Sequence, residues 1–375
     1  MIKLFHIISD TNIGGAGKYL LTYLANCDRQ TFDITVIVPV ESKLTAEIER
    51  LNCKVIECRA MEDKSIDPIA VLELFRILSR EKPEIVHTHA VLSARIAARL
   101  AGINRIIYTR HSVFEQKAYL TKGIGKKING IAGRLLSDRI IAVAEAAKKN
   151  LTDTGIDDKR ISVIYNGVDP QIEFSDEEKD VIREKFGIAK GEYVIAIIAR
   201  LELVKGHKYF VEAAEMVKKS GIKVRFVIAG TGTCENELKE LVSQKKLEDT
   251  VLFTGFLSNV GELENIMDIQ ANASYGTEAA SLSLLEGMSL GKPAVVSDFG
   301  GNPELISNGI NGLVVPQKNS QAMAEAIISL ISDNTLRSKI SDNAKEIFKT
   351  RFTSKIMTDN MEKFYKSVLE GKDER

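Results

Sequence analysis

The chain has 375 residues, a length that suggests about two domains, and 44% of them are hydrophobic, ample for packed cores. Its 51 basic residues balance 51 acidic ones, so no global field draws it to nucleic acid. Trp is absent and only 6% of residues are aromatic, which argues against a lectin that stacks sugars on rings.

In chain order, short apolar, β-branched runs fall at 3–8, 34–38, 54–57, 85–88, 105–109, 139–143 and 162–164, with helical patterns between them. The second half repeats the design with runs at 193–199, 224–229, 251–254, 269–274, 294–297 and 313–315. Continuous apolar strands alternating with helices predict parallel sheets covered on both faces. The polar stretch 170–180 reads as a linker. After Pro316 the pattern is helical to the end of the chain, with 351–369 periodic enough to pack along one face. The expected fold is therefore α/β: two Rossmann-like, doubly wound parallel-sheet domains enclosing a cleft at their strand C-termini. The expected bounds are 1–169 and 170–350, with 351–375 as a terminal helix.

The N-terminal apolar run ends at Ser9-Asp10, too short for a signal peptide, and no segment approaches spanning length. Cys27, Cys53, Cys58 and Cys234 form no Cys-x-x-Cys and read as reduced thiols of a cytoplasmic protein. The stretch 117–139 carries Lys117, Lys122, Lys126, Lys127, Arg134 and Arg139 against the single acid Asp138, with Ile124, Ile128, Ile131 and Leu135 at helical spacing. Gly123, Gly125, Gly130 and Gly133 weaken the helix expectation. The segment is either a solvated helix face or a basic amphipathic surface for anionic lipid, a peripheral contact at the inner face of the membrane.

Glu278 and Glu286 stand eight residues apart, one in a loop and one inside the helix that follows. Ser281 is the expected N-cap, with Leu282, Leu285 and Ser289 on one side of that helix. A helix start offers unpaired N–H groups to phosphate, here those of Leu282, Ser283 and Leu284. Carboxylates beside an anion site suggest a ligand with hydroxyls next to its phosphates, as in a nucleotide sugar. Arg200 and Lys205 follow a predicted strand and would stabilise charge on a departing diphosphate; the alternative is a surface pair at a helix start, where the dipole opposes cations. Gly14-Gly15-Ala16-Gly17-Lys18 follows the first strand, as a structural turn or as a ligand-facing loop. It is no P-loop, because Asn12 stands at the first Gly position and Tyr19 follows Lys18, and Leu20 at the third-Gly position spoils a dinucleotide fingerprint. His87 and His89 share a strand face and could join His111 around a metal, but no carboxylate or thiol accompanies them at ligand spacing.

These motifs, in this order, resemble the retaining glycosyltransferases of glycosyltransferase family 4, which have the GT-B fold. The matching residues are Glu278-x7-Glu286, Arg200-x4-Lys205-Gly206, Asn166-Gly167-Val168-Asp169, Phe253-Thr254-Gly255, Gly300-Gly301-Asn302-Pro303-Glu304 and the first glycine loop. The resemblance implies that Arg200 and Lys205 clamp the diphosphate, Glu278 contacts hydroxyls of the donor sugar, and Glu286 binds ribose. It further implies that His111 lies near the transferred sugar, that Gly15, Leu257 and the 282–284 helix start help hold the donor, and that the last helix crosses back onto the first domain. Ala279 and Ala280 depart from the glycine that usually follows the first Glu, which leaves the donor sugar open. No Asp-x-Asp is present, so no metal or other cofactor is expected.

The expected activity is retaining, metal-independent transfer of a sugar from a nucleotide sugar, a UDP-sugar first, to a cell-surface glycan or lipid-linked acceptor. A non-catalytic nucleotide-sugar-binding protein would keep Arg200 and Glu286 but show no turnover. A dinucleotide-dependent oxidoreductase would share the paired parallel sheets and bind a nicotinamide cofactor.

Overall fold

The computed structural model describes residues 1–59, 61, 66–89 and 91–371. The chain divides into two compact units, one of Met1–Val168 with Ser354–Arg375 and one of Asp169–Thr353. The first holds strands β1 Ile2–Ile8, β2 Phe32–Pro39, β3 Lys54–Cys58, β4 Ile85–His89, β5 Ile106–Arg110, β6 Arg139–Ala142 and β7 Ile161–Val163. The second holds β8 Tyr193–Ile198, β9 Val224–Ala229, β10 Val251–Gly255, β11 Ile269–Asn272, β12 Ala294–Ser297 and β13 Gly312–Val315. Each strand lies where an apolar run placed it.

Both sheets are parallel, in the orders β3-β2-β1-β4-β5-β6-β7 and β10-β9-β8-β11-β12-β13. In the second sheet, β8 and β9 are apolar on both faces. Ile195, Ile197, Phe226 and Ile228 enter one core cluster, while Val194, Ala196, Val227 and Ala229, their neighbours along the same strands, enter another. This is the two-sided burial that continuous apolar runs imply. In the first sheet Phe5, Ile7 and Val86 face an apolar core. The opposite face carries His6, paired in register with His87, and beyond it His89.

One expectation needs correcting. The stretch 170–180 is not a linker throughout. Helix Asp176–Lys185 begins inside it, because Ser175 and Glu178 form a reciprocal capping box that satisfies the first turn. Helix Leu282–Ser289 forms where expected, with Leu284, Leu285, Glu286, Gly287 and Met288 buried. Ser281 does cap it, accepting from the Leu284 N–H.

After Pro316 the chain forms helices Ser320–Ser332, Asn334–Arg351 and Ser354–Glu370. The last belongs to the first unit, where Tyr365 Oη meets His87 Nδ1 at 2.6 Å and Met361 Sδ accepts from Tyr19 Oη at 3.1 Å. Cys53 and Cys58 are buried, and among the described residues no cysteine forms a disulfide. Among the described residues, no helix is long and apolar enough to cross a membrane.

Candidate active site

In each sheet the strand order reverses beside the first strand, between β1 and β4 and between β8 and β11. Crossovers leave such a point in opposite directions, opening a crevice at the strand C-termini where ligands of open α/β sheets bind. Most of the residues singled out in the sequence lie just beyond strands that flank these two points.

In the second unit, β8 runs into Ala199-Arg200-Leu201. Leu201 is fully buried and its N–H bonds Thr231 O at 3.0 Å, which anchors the turn. Arg200 beside it is exposed, and no ion pair engages it. The turn Leu203–Lys205 then ends at Gly206, with φ of 73°. A Cβ at Gly206 would lie 2.0 Å from Ala273 O, so only glycine permits this approach to the end of β11. That approach delivers Lys205. Its Nζ pairs with Glu278 Oε2 at 2.9 Å and donates to Thr277 O at 3.1 Å. Two of three ammonium protons are thus used and one remains for a ligand.

The same Glu278 oxygen accepts from Asn272 Nδ2 at 3.2 Å and Ser274 Oγ at 3.1 Å. Asn302 Nδ2 in turn donates to Ser297 Oγ at 3.2 Å, and Ser297 Oγ donates to Ser274 O at 2.5 Å. Gly300, at φ of 61°, lies directly against Glu278, since a Cβ there would sit 2.0 Å from Glu278 O. These contacts hold a buried carboxylate by one oxygen and leave Oε1 outside the bonds just described. A buried charge needs such partners. Asn272, Ser274, Ser297 and the bonding role of Asn302 were missed from the sequence. Asn272 and Ser274, polar and two apart at the end of an apolar run, were the available signal.

Ala279 and Ala280 are buried, and neither has a positive φ, so this loop does not need glycine there. Helix Leu282–Ser289 points its N-terminus back to β8, since Ser283 Oγ donates to Ile198 O at 3.2 Å. Ser281 takes the Leu284 N–H, and those of Leu282 and Ser283 belong to the first turn, which has no carbonyl partners within the helix. Glu286 lies one turn further along, buried. Leu257 is half-buried against the core cluster beside β10, and the neighbouring Phe256 is 77% exposed. The structure therefore joins Lys205 to Glu278 directly. Arg200, Glu286 and Leu257 sit on neighbouring segments of the same strand edge.

In the first unit, Gly15 opens helix Gly15–Asn26 and is exposed, with nothing within 4 Å of where its Cβ would be. Gly17 serves packing instead, its Cβ position lying 3.0 Å from Leu44. His111 follows β5, and its Nε2 shares a hydrogen bond of 2.9 Å with His89 Nδ1. His89 Nε2 shares another of 3.0 Å with His6 Nδ1. His87 is bonded through Nε2 to Thr109 Oγ1 at 2.5 Å as well as to Tyr365. Burial holds His6 and His111 down to about 3 and His87 and His89 well below the ordinary range, so all four rings are neutral at pH 7. The tight histidine trio is His6, His87 and His89 rather than one containing His111. Of its six ring nitrogens only His6 Nε2 lacks a hydrogen bond, and through His89 the trio is bonded to His111.

The chain has relatives among known proteins that share its fold. The family model for glycosyltransferase family 4 matches residues 13–172, and that for glycosyl transferases group 1 matches residues 178–347. An Escherichia coli UDP-Gal:alpha-D-GlcNAc-diphosphoundecaprenol alpha-1,3-galactosyltransferase is 27% identical over 89% of each chain. N-acetyl-alpha-D-glucosaminyl L-malate synthase of Bacillus anthracis is 27% identical over 79% of this chain and 78% of its own. Among solved structures, Anabaena HepE in complex with UDP superposes with a TM-score of 0.84 at 21% identity, covering 98% of this chain and 100% of that one. A glycosyltransferase of Rickettsia africae gives 0.84 at 22% identity over 99% of each chain. With matching models across both halves and the fold of these neighbours, the chain belongs to glycosyltransferase family 4 and is a glycosyltransferase of the GT-B fold.

Proposed function

We propose that this glycosyltransferase moves a sugar, with retention and without a metal, from a UDP-sugar to a hydroxyl of a cell-surface glycan or its lipid carrier, working peripherally at the inner face of the membrane. The observation that carries the reading is the Lys205–Glu278 pair at the switch point of the second sheet, beside the open N–H groups of helix Leu282–Ser289. The donor's diphosphate lies on those N–H groups, Arg200 and the remaining Lys205 proton, and its sugar hydroxyls reach Glu278. The bond from the anomeric carbon to the β-phosphate oxygen breaks as the acceptor oxygen bonds that carbon on the same face. The leaving phosphate takes the acceptor proton, so no separate base is required. Arg200 and Lys205 offset the charge that develops on the phosphate, the term that usually dominates such catalysis. The UDP and UDP-glucose held by the HepE structures, and the diphosphoundecaprenol-linked acceptor in the Escherichia coli relative's name, support the choice of donor and acceptor class.

Turnover with UDP-sugars in excess EDTA tests the metal-free reading, and the anomeric configuration of the product tests retention. We expect undiminished transfer and a product of the donor's own anomeric configuration. Loss of activity restored by magnesium or manganese, or an inverted product, would contradict the mechanism.

The two carboxylates should fail differently. Glu286→Ala is expected to weaken binding of free UDP and of donor alike, because ribose is common to both. Glu278→Ala is expected to spare UDP and weaken the donor or its transfer. Each loss is about 1.5–3 kcal/mol, the scale of a hydrogen bond to a charged group. Calorimetric titration of both variants with UDP and with donor measures this, and equal effects on UDP would remove the division of roles.

A further inference from the structure

Helix Gly123–Leu136 is arranged the opposite way from an ordinary surface helix, whose apolar stripe faces the core. None of its residues is buried. Ile124, Ile128, Ile131 and Leu135, spaced to form one row, are 76%, 61%, 60% and 62% exposed. The side facing the protein carries glycines, with Asn129 Nδ2 between them donating to Thr154 O at 2.9 Å. A Cβ at Gly130 would lie 2.3 Å from Gly155 O, and one at Gly133 would lie 2.3 Å from Ile156 Cδ1. The backbone thus lies down on the 155–156 turn and holds the isoleucine row outward. A row of large aliphatic side chains held in water by close backbone packing marks an interaction surface.

Charge specifies the partner. From 117 to 137 the segment carries five cations and no acid. Beside the row is a cavity of about 280 Å³, lined by Ile131 and by Lys127, Arg134 and Arg160 against the single acid Asp157. Arg160 is fixed there by donating from Nη1 to Arg134 O at 3.1 Å and Ser137 O at 2.9 Å. Asp157 is partly engaged, accepting from the Lys159 N–H at 3.2 Å. Apolar side chains that enter an acyl boundary, flanked by cations that meet phosphate, describe a helix lying in the interface of an anionic bilayer.

We infer that helix Gly123–Leu136 is the surface by which this enzyme lies on anionic lipid, with its isoleucine row in the interface and the adjoining cationic cavity taking a lipid phosphate. This deepens the peripheral reading given above and is independent of the chemistry of transfer. The test is co-sedimentation of the full chain with vesicles of phosphatidylcholine alone and of phosphatidylcholine mixed with phosphatidylglycerol. The chain should bind the mixed vesicles, release at high salt, and bind phosphatidylcholine weakly. Ile128→Glu with Ile131→Glu should lower binding at least ten-fold, and Lys127→Ala with Arg134→Ala roughly 25-fold, at about 1 kcal/mol per cation near the surface. All four sites are on the outer side of the helix, so melting temperatures and transfer to a water-soluble acceptor should stay at the parent's level. That last measurement separates failure of the docking surface from failure of the transferase reading. No binding to mixed vesicles, or equal binding by parent and Ile→Glu variant, overturns the inference. It is equally overturned if the parent self-associates in solution and the Ile→Glu variant is monomeric with no change in vesicle binding, because the face is then a contact between copies.

Discussion

Replacing Lys205 with alanine is expected to lower kcat by roughly 10²–10³-fold with the fold intact, the scale of losing one preorganised donor at a developing charge. Lys205 has two duties in the proposed reaction. One ammonium proton would meet the leaving phosphate, and another holds Glu278 Oε2 at 2.9 Å. Alanine removes both, leaving Glu278 with Asn272 and Ser274 but without its cation. Arg200 differs, being exposed and unpaired. Arg200→Ala should therefore fall into the same range of kcat by loss of phosphate stabilisation alone, with Glu278 undisturbed. Donor binding then separates the variants: Lys205→Ala should also weaken the sugar contact, Arg200→Ala only the diphosphate contact. Turnover at saturating donor, beside thermal melting of each variant, makes the measurement. Near-parent turnover in both would remove the clamp from the mechanism.

Acid should destabilise this protein well above the range where carboxylates titrate. His6, His87 and His89 are buried, and burial lowers all three below the ordinary value of 6.5, His6 to about 3. An unfolded chain binds a proton at each as pH falls through 6.5, while the folded chain does not. Stability is therefore fully present above the unfolded value and is lost as pH falls below it. Between pH 7.5 and 5.5 each group costs roughly 1.4 kcal/mol, so the three with His111, lowered to about 3 as well, remove roughly 5 kcal/mol together. His207, in the second unit, is lowered to about 4 by burial and the nearby Lys205 and adds a similar dependence there. The half-buried carboxylate of Glu215, held down to about 2 by hydrogen bonds from Lys219 and Lys245, acts only at lower pH. Urea unfolding across this window provides the measurement, with the two units followed separately where their transitions resolve. A flat profile would show that these rings are protonated in the folded state.

Most strands could be read from residue order alone because they are short, largely apolar, β-branched runs, and a run buried on both faces needs no partner to be recognised. Ser281 was legible as a cap for a similar reason, since an N-cap bonds a backbone N–H three residues away. The capping box at Ser175–Glu178 is equally local, and was passed over only because polar residues crowd that stretch. The glycine at 206 was visible as part of a motif. Its cause, contact with Ala273 O, was not.

The amino-acid sequence by itself determined two parallel-sheet halves, the order of the motifs along them and the residue types available for holding a nucleotide sugar. These follow from local periodicity and short spacings, which the chain carries without folding. Only the tertiary structure decided which groups meet. Lys205 and Glu278 are 73 residues apart in the chain and pair because β8 and β11 are neighbours at a switch point. His6 joins His89, 83 residues away, because β1 and β4 lie side by side in register. The outward turn of the isoleucine row on helix Gly123–Leu136 is of the same kind. Periodicity shows that a helix has an apolar face, but which way that face points depends on what the opposite side packs against, here the backbone of residues 155–156.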